Sequence, residues 1–320
     1  RILIDLAYVG NRGTKLAVER NLNAIPRQYL STSQSRDQQT IDLLSRQVNS
    51  PFFGIAEFTG TGLAAQRVGL AQLLRPYPHF GDINVNLPAG FSYYHSLQVA
   101  VEKRMSGGLM FQSAWTYSKF MEATAYRSDT DPLPEKVVSN QDFTHRFVLS
   151  TIYEFPFGRG RKWFSSMSGV REALFGGWQL QGWYEGQSGG ALGFGNAIFT
   201  GNVHDIELPL SQRRAERWFN IDAGFNRDST QQLANNIQGV SSRFTGVRAD
   251  GVNNFDLSLF KNFTIKERLK AQLRIENYNA LNHVQFDAPN TAPVNAAFGS
   301  ITAEKGHGQR QITLGIKIMF

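Results

Sequence analysis

Apolar and polar residues alternate one by one along much of this chain. In "SYYHSLQVAVEKRM", Tyr93, Leu97, Val99 and Val101 share one face, and Ser96, Gln98, Ala100 and Glu102 share the other. "LMFQSAWTYSKF" sets Leu109, Phe111, Trp115 and Tyr117 against Gln112, Ala114, Thr116 and Ser118. "HRFVLSTIYEF" groups Phe147, Leu149, Tyr153 and Phe155, and "GWQLQGWYEG" opposes Trp178, Leu180 and Tyr184 to Gln179, Gln181 and Glu185. "NFDLSLFKNF" aligns Phe255, Leu257 and Leu259, and "LKAQLRIEN" aligns Leu269, Ala271, Leu273 and Ile275 against Lys270, Gln272, Arg274 and Glu276. The chain closes on "RQITLGIKIMF", with Ile312, Leu314, Ile316, Ile318 and Phe320 on one side. Period two predicts strands with one face in an apolar medium and one in water. Each run covers roughly 9 to 14 residues, longer than a typical globular strand and close to what a tilted strand needs to cross a bilayer.

Composition decides between a soluble and a membrane β-protein. With 24 Phe, 10 Tyr and 5 Trp, the chain is rich in aromatics for a mean hydropathy of -0.31. The rings gather at segment ends: Tyr93 and Tyr94, Trp115 and Tyr117, Tyr153 and Phe155, and Trp178. Amphipathic rings at strand ends suit the headgroup level of a bilayer. No apolar run is long enough for a transmembrane helix, and alternating strands need none. The expected fold class is all-β, a transmembrane antiparallel β-barrel with long extracellular loops.

The connections alternate in length. "SGG" after Met105 and the link at 264–268 are short, whereas those around 11–90, 121–142, 222–252 and 282–308 are long. A periplasmic C-terminus puts every long link outside and the short ones inside, as in outer-membrane barrels. One link breaks the rule: the connection around 158–174, within "GRGRKWFSSMSGVREALFG", is too long for a periplasmic turn and is expected to form its own short structure. Residues 189–221 either add a strand pair ("GFGNAIFTG" and "ERWFNID") or belong to one external excursion, giving eight or ten strands. The single domain expected over 1–320 is the C-terminal portion of a barrel, with 11–90 as a long external loop. The chain starts "RILIDLAYVGNRG", without Met and already in strand pattern, so an N-terminal part is expected to be missing.

Particular segments carry a family resemblance. "NSPFFG" (Asn49–Gly54) and "LLRPYPHFGDI" (Leu73–Ile83) resemble an external-loop motif of Oar-like TonB-dependent receptors of the acidobacterial type. "YHSLQVAVEKRMSGG", "HRFVLSTIYEFPFGRGR", "GWQLQGWYEGQSG", "WFN", "NFDLSLFKNF", "ENYNALNHVQF", "FGSIT" and "RQITLGIKIMF" are similar to segments that follow in the same order in that family. The resemblance implies a 22-stranded barrel with an internal plug, the last eight to ten strands being this chain. It also implies energy-coupled uptake through the TonB system, which the missing plug region would contact. The motif residues Leu73, Leu74, Arg75, Pro76, Tyr77, Pro78, His79 and Phe80 would then lie at the cell surface. Ile312, Leu314, Ile316, Ile318 and Phe320 would carry the signal read by the barrel-assembly machinery. A barrel cut in this way has two unpaired edges, so the fragment is not expected to be stable alone.

Chemistry other than binding finds no support in the sequence. There is no cysteine, hence no thiolate nucleophile or disulfide framework. Histidines 79, 95, 145, 204, 283 and 307 lack metal-ligand spacing; His95 falls near a strand end in an interfacial position. Gly193 and Gly195 precede no helix pattern, and "GRGRK" (Gly158–Lys162) is not followed by a phosphate-loop signature. Asp129, Asp131 and Glu135 lack the spacing of a calcium loop. The net charge of +7 comes from 33 basic residues dispersed among 26 acidic ones, so nucleic acid is not an expected partner. Neither catalysis nor a cofactor is expected. The expected partners are outer-membrane lipid and a small-molecule, glycan or peptide ligand. Gln98, Glu102, Gln112, Gln179, Gln181, Glu185, Asp256, Gln272, Arg274 and Glu276 would line a wet interior. The alternative reading is a structural or adhesive surface barrel without active transport. Residues 41–90 are expected to pack as a loop with its own small core.

Overall fold

A computed structural model describes residues 2–265, 269–306 and 308–320. His307 and most of the expected turn at 264–268 lie outside the described residues. In chain order the elements are β1 (Ile2–Asn21), α1 (Gln38–Ser45), β2 (Gln47–Asn49), β3 (Arg67–Gly69), α2 (Leu70–Leu73), β4 (Asn84–Ser106), β5 (Leu109–Ala123) and β6 (Val137–Val138). They continue as β7 (His145–Glu154), α3 (Gly169–Phe175), β8 (Trp178–Gln187), β9 (Val252–Thr264), β10 (Lys270–Tyr278) and β11 (Gln311–Met319). Eight long strands form one antiparallel sheet in the order β1-β4-β5-β7-β8-β9-β10-β11, with β6 beside β5. Every long strand therefore pairs with its neighbour in sequence, the meander of an up-and-down barrel. Among the described residues β1 and β11 each have one partner, so the sheet is open. No described helix is long and apolar enough to cross a membrane.

Register turns the sequence alternation into two continuous faces. One row of partners runs Leu109, Tyr153, Leu180, Leu259, Ile275, Leu314. Another on the same face runs Ile4, Val101, Ser113, Leu149, Tyr184, Phe255. The opposite face carries Glu102, Gln112, Ser150, Trp183 and Asp256 in one row, and Gln181, Ser258, Glu276 and Thr313 in the next. All ten residues expected in a wet interior fall on this inner face. Apolar residues also occupy this face against the alternation, among them Tyr94, Trp183 and Phe260, and Arg274 stacks 5.3 Å from the Phe260 ring. Tyr94 thus leaves the expected strand-end girdle and packs edge-on against Phe120.

The row from Leu109 reaches β11 at Leu314, with Gly315–Phe320 extending beyond it. Such progressive stagger is the geometry that tilted barrel strands require. From His145 to Phe155 the outer face of β7 advances about 33 Å, or about 25 Å along the normal if tilted by about 40°, the height of an outer-membrane apolar band. Rings bracket that band. Tyr8, Tyr93 and His95 cluster at one end of it, joined by a 2.5 Å hydrogen bond between Tyr8 Oη and His95 Nδ1; Trp115, Tyr117 and His145 stack beside them. Tyr153, Phe155, Trp178 and Phe263 mark the other end.

The loop expected over 11–90 is shorter at both ends. β1 and β4 run 20 and 23 residues and stay paired from Ile2/Lys103 to Asn21/Asn84. At about 3.3 Å per residue they reach about 65–75 Å, so they project well beyond an about 30 Å hydrocarbon core. The projecting part is irregular: Lys15 has φ +54° and the register shifts twice between Thr14 and Val18. Those bulges turn Val18 inward, where it is buried against Gly90 and Ala123. A Cβ at Gly90 would lie 2.7 Å from Val18 Cγ2 and 2.9 Å from the Ala123 carbonyl, so only glycine fits.

Residues 189–221 form no long strand and add none to the count, leaving eight. Among the described residues the one β-bridge of the segment "GFGNAIFTG" is isolated, Phe199 with Phe225, and "ERWFNID" supplies Trp218 and Phe219 to a core. That core also holds Phe194, Ala197, Ile206, Val247 and Phe298, drawn from the 188–251 and 279–310 connections. Phe194 and Phe298 pack on each other and each on Phe219 and Phe225, with centroids 4.6–6.2 Å apart. The largest apolar core of the described residues thus lies in the loops, over the end of the sheet.

Candidate functional site

Two connections are clasped together within this loop cap. Ser31 N–H donates to the Asn235 carbonyl at 2.9 Å, and Ile237 N–H donates to the Ser31 carbonyl at 2.8 Å. The chain turns at Asn235 with φ +51°, a conformation asparagine tolerates better than most residues. Arg36 adds a hydrogen bond to the Gln232 carbonyl, and Asn196 and Asn236 exchange amide hydrogen bonds of 2.8 and 3.1 Å. Between the clasped segments lies a cavity of about 410 Å³. Its apolar wall is Ala197, Phe199, Val203, Leu233, Ile237 and Phe244; Thr32, Ser33, Gln34, Asn236 and Ser241 supply polar groups. Among the described residues no ionisable side chain lines it. Such a wall can hold a partly apolar, uncharged group and orient it with hydroxyls and amides, but offers no acid, base or nucleophile activated for chemistry.

Ion pairs fasten the cap to the sheet. Asp142, fully buried, accepts from the Phe120 N–H at 2.6 Å and from Arg248 Nη2 at 2.6 Å, while Lys119 stands 3.5 Å away. Arg248 Nη1 also donates to the Asp142 and Gly189 carbonyls. Nearby, Arg243 pairs with Glu122 at 2.6 Å and Ser139 Oγ donates to the same carboxylate. Buried charges survive only when paired and hydrogen-bonded in this way. None of these residues was singled out by pattern, because an isolated Asp or Arg in a loop looks the same whether paired or solvated.

The sequence motif Leu73–Phe80 folds on a residue from the far side of its own connection. The Asn23 amide, fully buried, donates to the carbonyls of Tyr77, Phe80 and Gly81, and its oxygen accepts from Tyr77 N–H at 2.8 Å. Arg75 bridges the Asn23 carbonyl and Asp82, holding the Asp82 carboxyl below the usual carboxylate range together with the Asn21 amide. Leu73, Leu74, Arg75 and Pro78 are half-buried; Pro76, Tyr77, His79 and Phe80 are exposed. His79 and Phe80 border a separate open cleft with Glu57, Phe58 and Arg67. The motif and the uncharged cavity are therefore different places. Residues 41–90 do pack on a small core, Leu44 and Val68, but leave Leu43, Phe53, Tyr77 and Phe80 outward.

The acidic trio weighed for calcium is spent on protein donors. Asp131 receives Arg27 at 2.9 Å and Ser128 N–H, Asp129 accepts from Asn21 N–H, and Glu135 accepts from Ser242 N–H. Among the described residues no cluster of metal-ligating side chains occurs. Ile312, Leu314, Ile316 and Ile318 share the outer face through their partners Asn277, Ile275, Leu273 and Ala271; Phe320 follows fully exposed.

A profile of the family described as an outer membrane beta barrel domain matches residues 1–313. The chain belongs to that family. It accordingly resides in the bacterial outer membrane, where short turns face the periplasm and long loops the exterior. The outer face of the sheet is then the lipid face, and the cap is external. Among curated protein sequences none matches. Of solved structures, the outer membrane transporter YddB from Escherichia coli aligns with a TM-score of 0.40 and 9% identity, over 99% of this chain and 30% of that one.

Proposed function

We propose that this chain is the C-terminal part of an Oar-like, TonB-dependent receptor that captures an uncharged ligand in its external cap for energy-coupled uptake. The observation that carries the reading is the cavity between residues 31–36 and 197–244, set in a packed cap above a polar inner face. A chain serving only to span the bilayer would not need a walled cavity outside it. The unpaired edges at β1 and β11 suit a segment of a larger barrel, the family resemblance suggesting 22 strands and a plug. The cavity wall favours a glycan or a neutral peptide over a charged chelate.

The test uses cells carrying the full-length protein, exposed to labelled neutral glycans and peptides. Binding should be lost in Ile237→Arg, and accumulation should stop when TonB is deleted or a protonophore is added. A second reading, a structural or adhesive surface barrel, is favoured by the solidity of the cap core. Ligand retention at the surface that is indifferent to both TonB and protonophore would select it and overturn uptake. Assembly is tested separately: deleting Phe320 should reduce membrane insertion through the barrel-assembly machinery, and unchanged insertion would remove that role.

A further inference from the structure

The connection between β7 and β8 is the anomaly of the periplasmic end. Outer-membrane barrels keep such turns short, yet residues 155–177 form an excursion containing α3. It does not hang free in water. The Trp178 indole N–H donates to the Leu174 carbonyl at 2.8 Å, and the Lys261 ammonium binds the Gly176 carbonyl. Lys261 lies on the lipid face of β9, between the rings of Trp178 and Phe263 at 5.5 and 5.0 Å. The end of α3 is thereby tied to the lipid side of the sheet. A chain of rings makes the same link from the other end: Tyr153 to Phe155 at 5.4 Å, Phe155 to Phe157 at 6.2 Å, Phe157 to Trp163 at 5.3 Å.

What this tether presents is apolar and basic. Phe164, Val170, Leu174 and Phe175 are 58–75% exposed, and Trp163 is 48% exposed. The excursion holds Arg159, Arg161, Lys162 and Arg171 against one acid, Glu172; Arg161 pairs at 2.7 Å with Glu154 at the end of β7, so the cations it offers to headgroups are Arg159, Lys162 and Arg171. Lys162 sits 5.6 Å from the Trp163 ring, and the Glu172 carboxylate accepts from the Arg159 N–H. β7 and β8 are internal to the sheet, so no further strand of the same barrel covers this outward patch.

We infer that residues 156–176 form an interfacial anchor lying in the periplasmic leaflet of the outer membrane, its rings among the acyl chains and its cations on anionic phospholipid headgroups. The patch continues the lipid face without a break, and the pairing of exposed rings with arginine and lysine is the composition of a segment that lies in a bilayer interface. The anchor also accounts for the length of the connection: a tight turn cannot reach along the leaflet.

The test places single cysteines at Phe164 (F164C), Leu174 (L174C) and, as an external control, Ser211 (S211C) in the full-length protein, each carrying a fluorescent label. These 320 residues hold no cysteine of their own; any elsewhere would be replaced. In vesicles of phosphatidylethanolamine and phosphatidylglycerol, brominated lipid should quench the F164C and L174C labels several-fold more than the S211C label. Iodide should show the reverse order. Replacing phosphatidylglycerol with phosphatidylcholine should weaken the lipid quenching; equal quenching would overturn the role given to the cations. Labels open to iodide and untouched by brominated lipid would overturn the anchor. So would labels shielded in whole outer membranes but open to iodide in vesicles, which would assign the patch to a periplasmic protein. Heat-modifiable gel migration checks that each variant is folded.

Discussion

The sheet and the external cap use opposite means to stay folded. In the sheet the ladder satisfies the backbone, and its apolar side chains face outward: Ile4, Leu6, Leu314 and Ile316 on the edge strands are each more than 60% exposed, and Leu97, Tyr117 and Leu273 on paired strands are 41–50% exposed. Lipid completes that half of the structure, so the sheet has little interior of its own. The cap has an ordinary core instead, with Phe219 and Ile206 fully buried, and pairs its buried charges internally. The sheet therefore depends on its solvent, whereas the cap depends on packing. A ligand site that must hold its shape in water belongs in the second kind of region.

The comparison can be broken at the hinge between the two. Asp142→Ala strands Arg248 and frees the Phe120 N–H; removing one member of such a pair costs about 3–5 kcal/mol. Cap loops should then be cleaved by protease while the folded barrel still shifts on a gel after boiling. Phe219→Ala opens a cavity at the centre of the cap core, with an expected cost of about 3–5 kcal/mol and the same localised readout. The sheet is probed from the other side by Leu149→Arg, midway between the girdles on the lipid face, where an arginine costs about 2–4 kcal/mol. Ser150→Arg, one residue along but on the inner face, should be tolerated, and urea titration in lipid vesicles compares the two. Asn23→Ala should loosen only the Leu73–Phe80 segment, at about 1–3 kcal/mol for the polar groups left unpaired, seen as faster amide exchange at Tyr77.

Acid gives the smallest effect. Hydrogen bonds from the Thr40 backbone and side chain depress the Asp37 carboxyl, those from Arg75 and Asn21 depress Asp82, and those from Thr230 depress Asp228. Each group binds protons less readily folded than unfolded. The stability it adds is present above the ordinary aspartate value of about 4 and is lost as the pH falls through the depressed one. Asp82 and Asp228 are exposed and Asp37 is half-buried at the surface, so acid should fray the α1 cap and the Asp82 turn, measured by amide exchange at Thr40 and Ile83, and leave the cap core intact.

Much of the membrane part was legible in the sequence because a strand repeats every two residues and lipid demands apolarity at each outward position. Pattern alone places Leu109, Tyr153, Leu180, Leu259, Ile275 and Leu314 on one face, and the ladder aligns them in one row. Alternation erred on the inner face, at Tyr94 and Phe260, which serve local packing, and at the exposed Trp183, and where β1 and β4 outran the membrane. The cap left almost no periodic trace. Phe194, Phe219 and Phe298 come together from distant stretches of irregular chain, and nothing in their spacing encodes the meeting. Asn23, Asp142 and Arg248 owe their roles to partners far away in sequence. The strands, their facing and the anomalous link at 158–174 were thus determined by the sequence by itself. The cap core, the uncharged cavity and the tether of that link to the lipid face were decided only by tertiary contacts, because irregular loops carry no repeat from which a contact can be read.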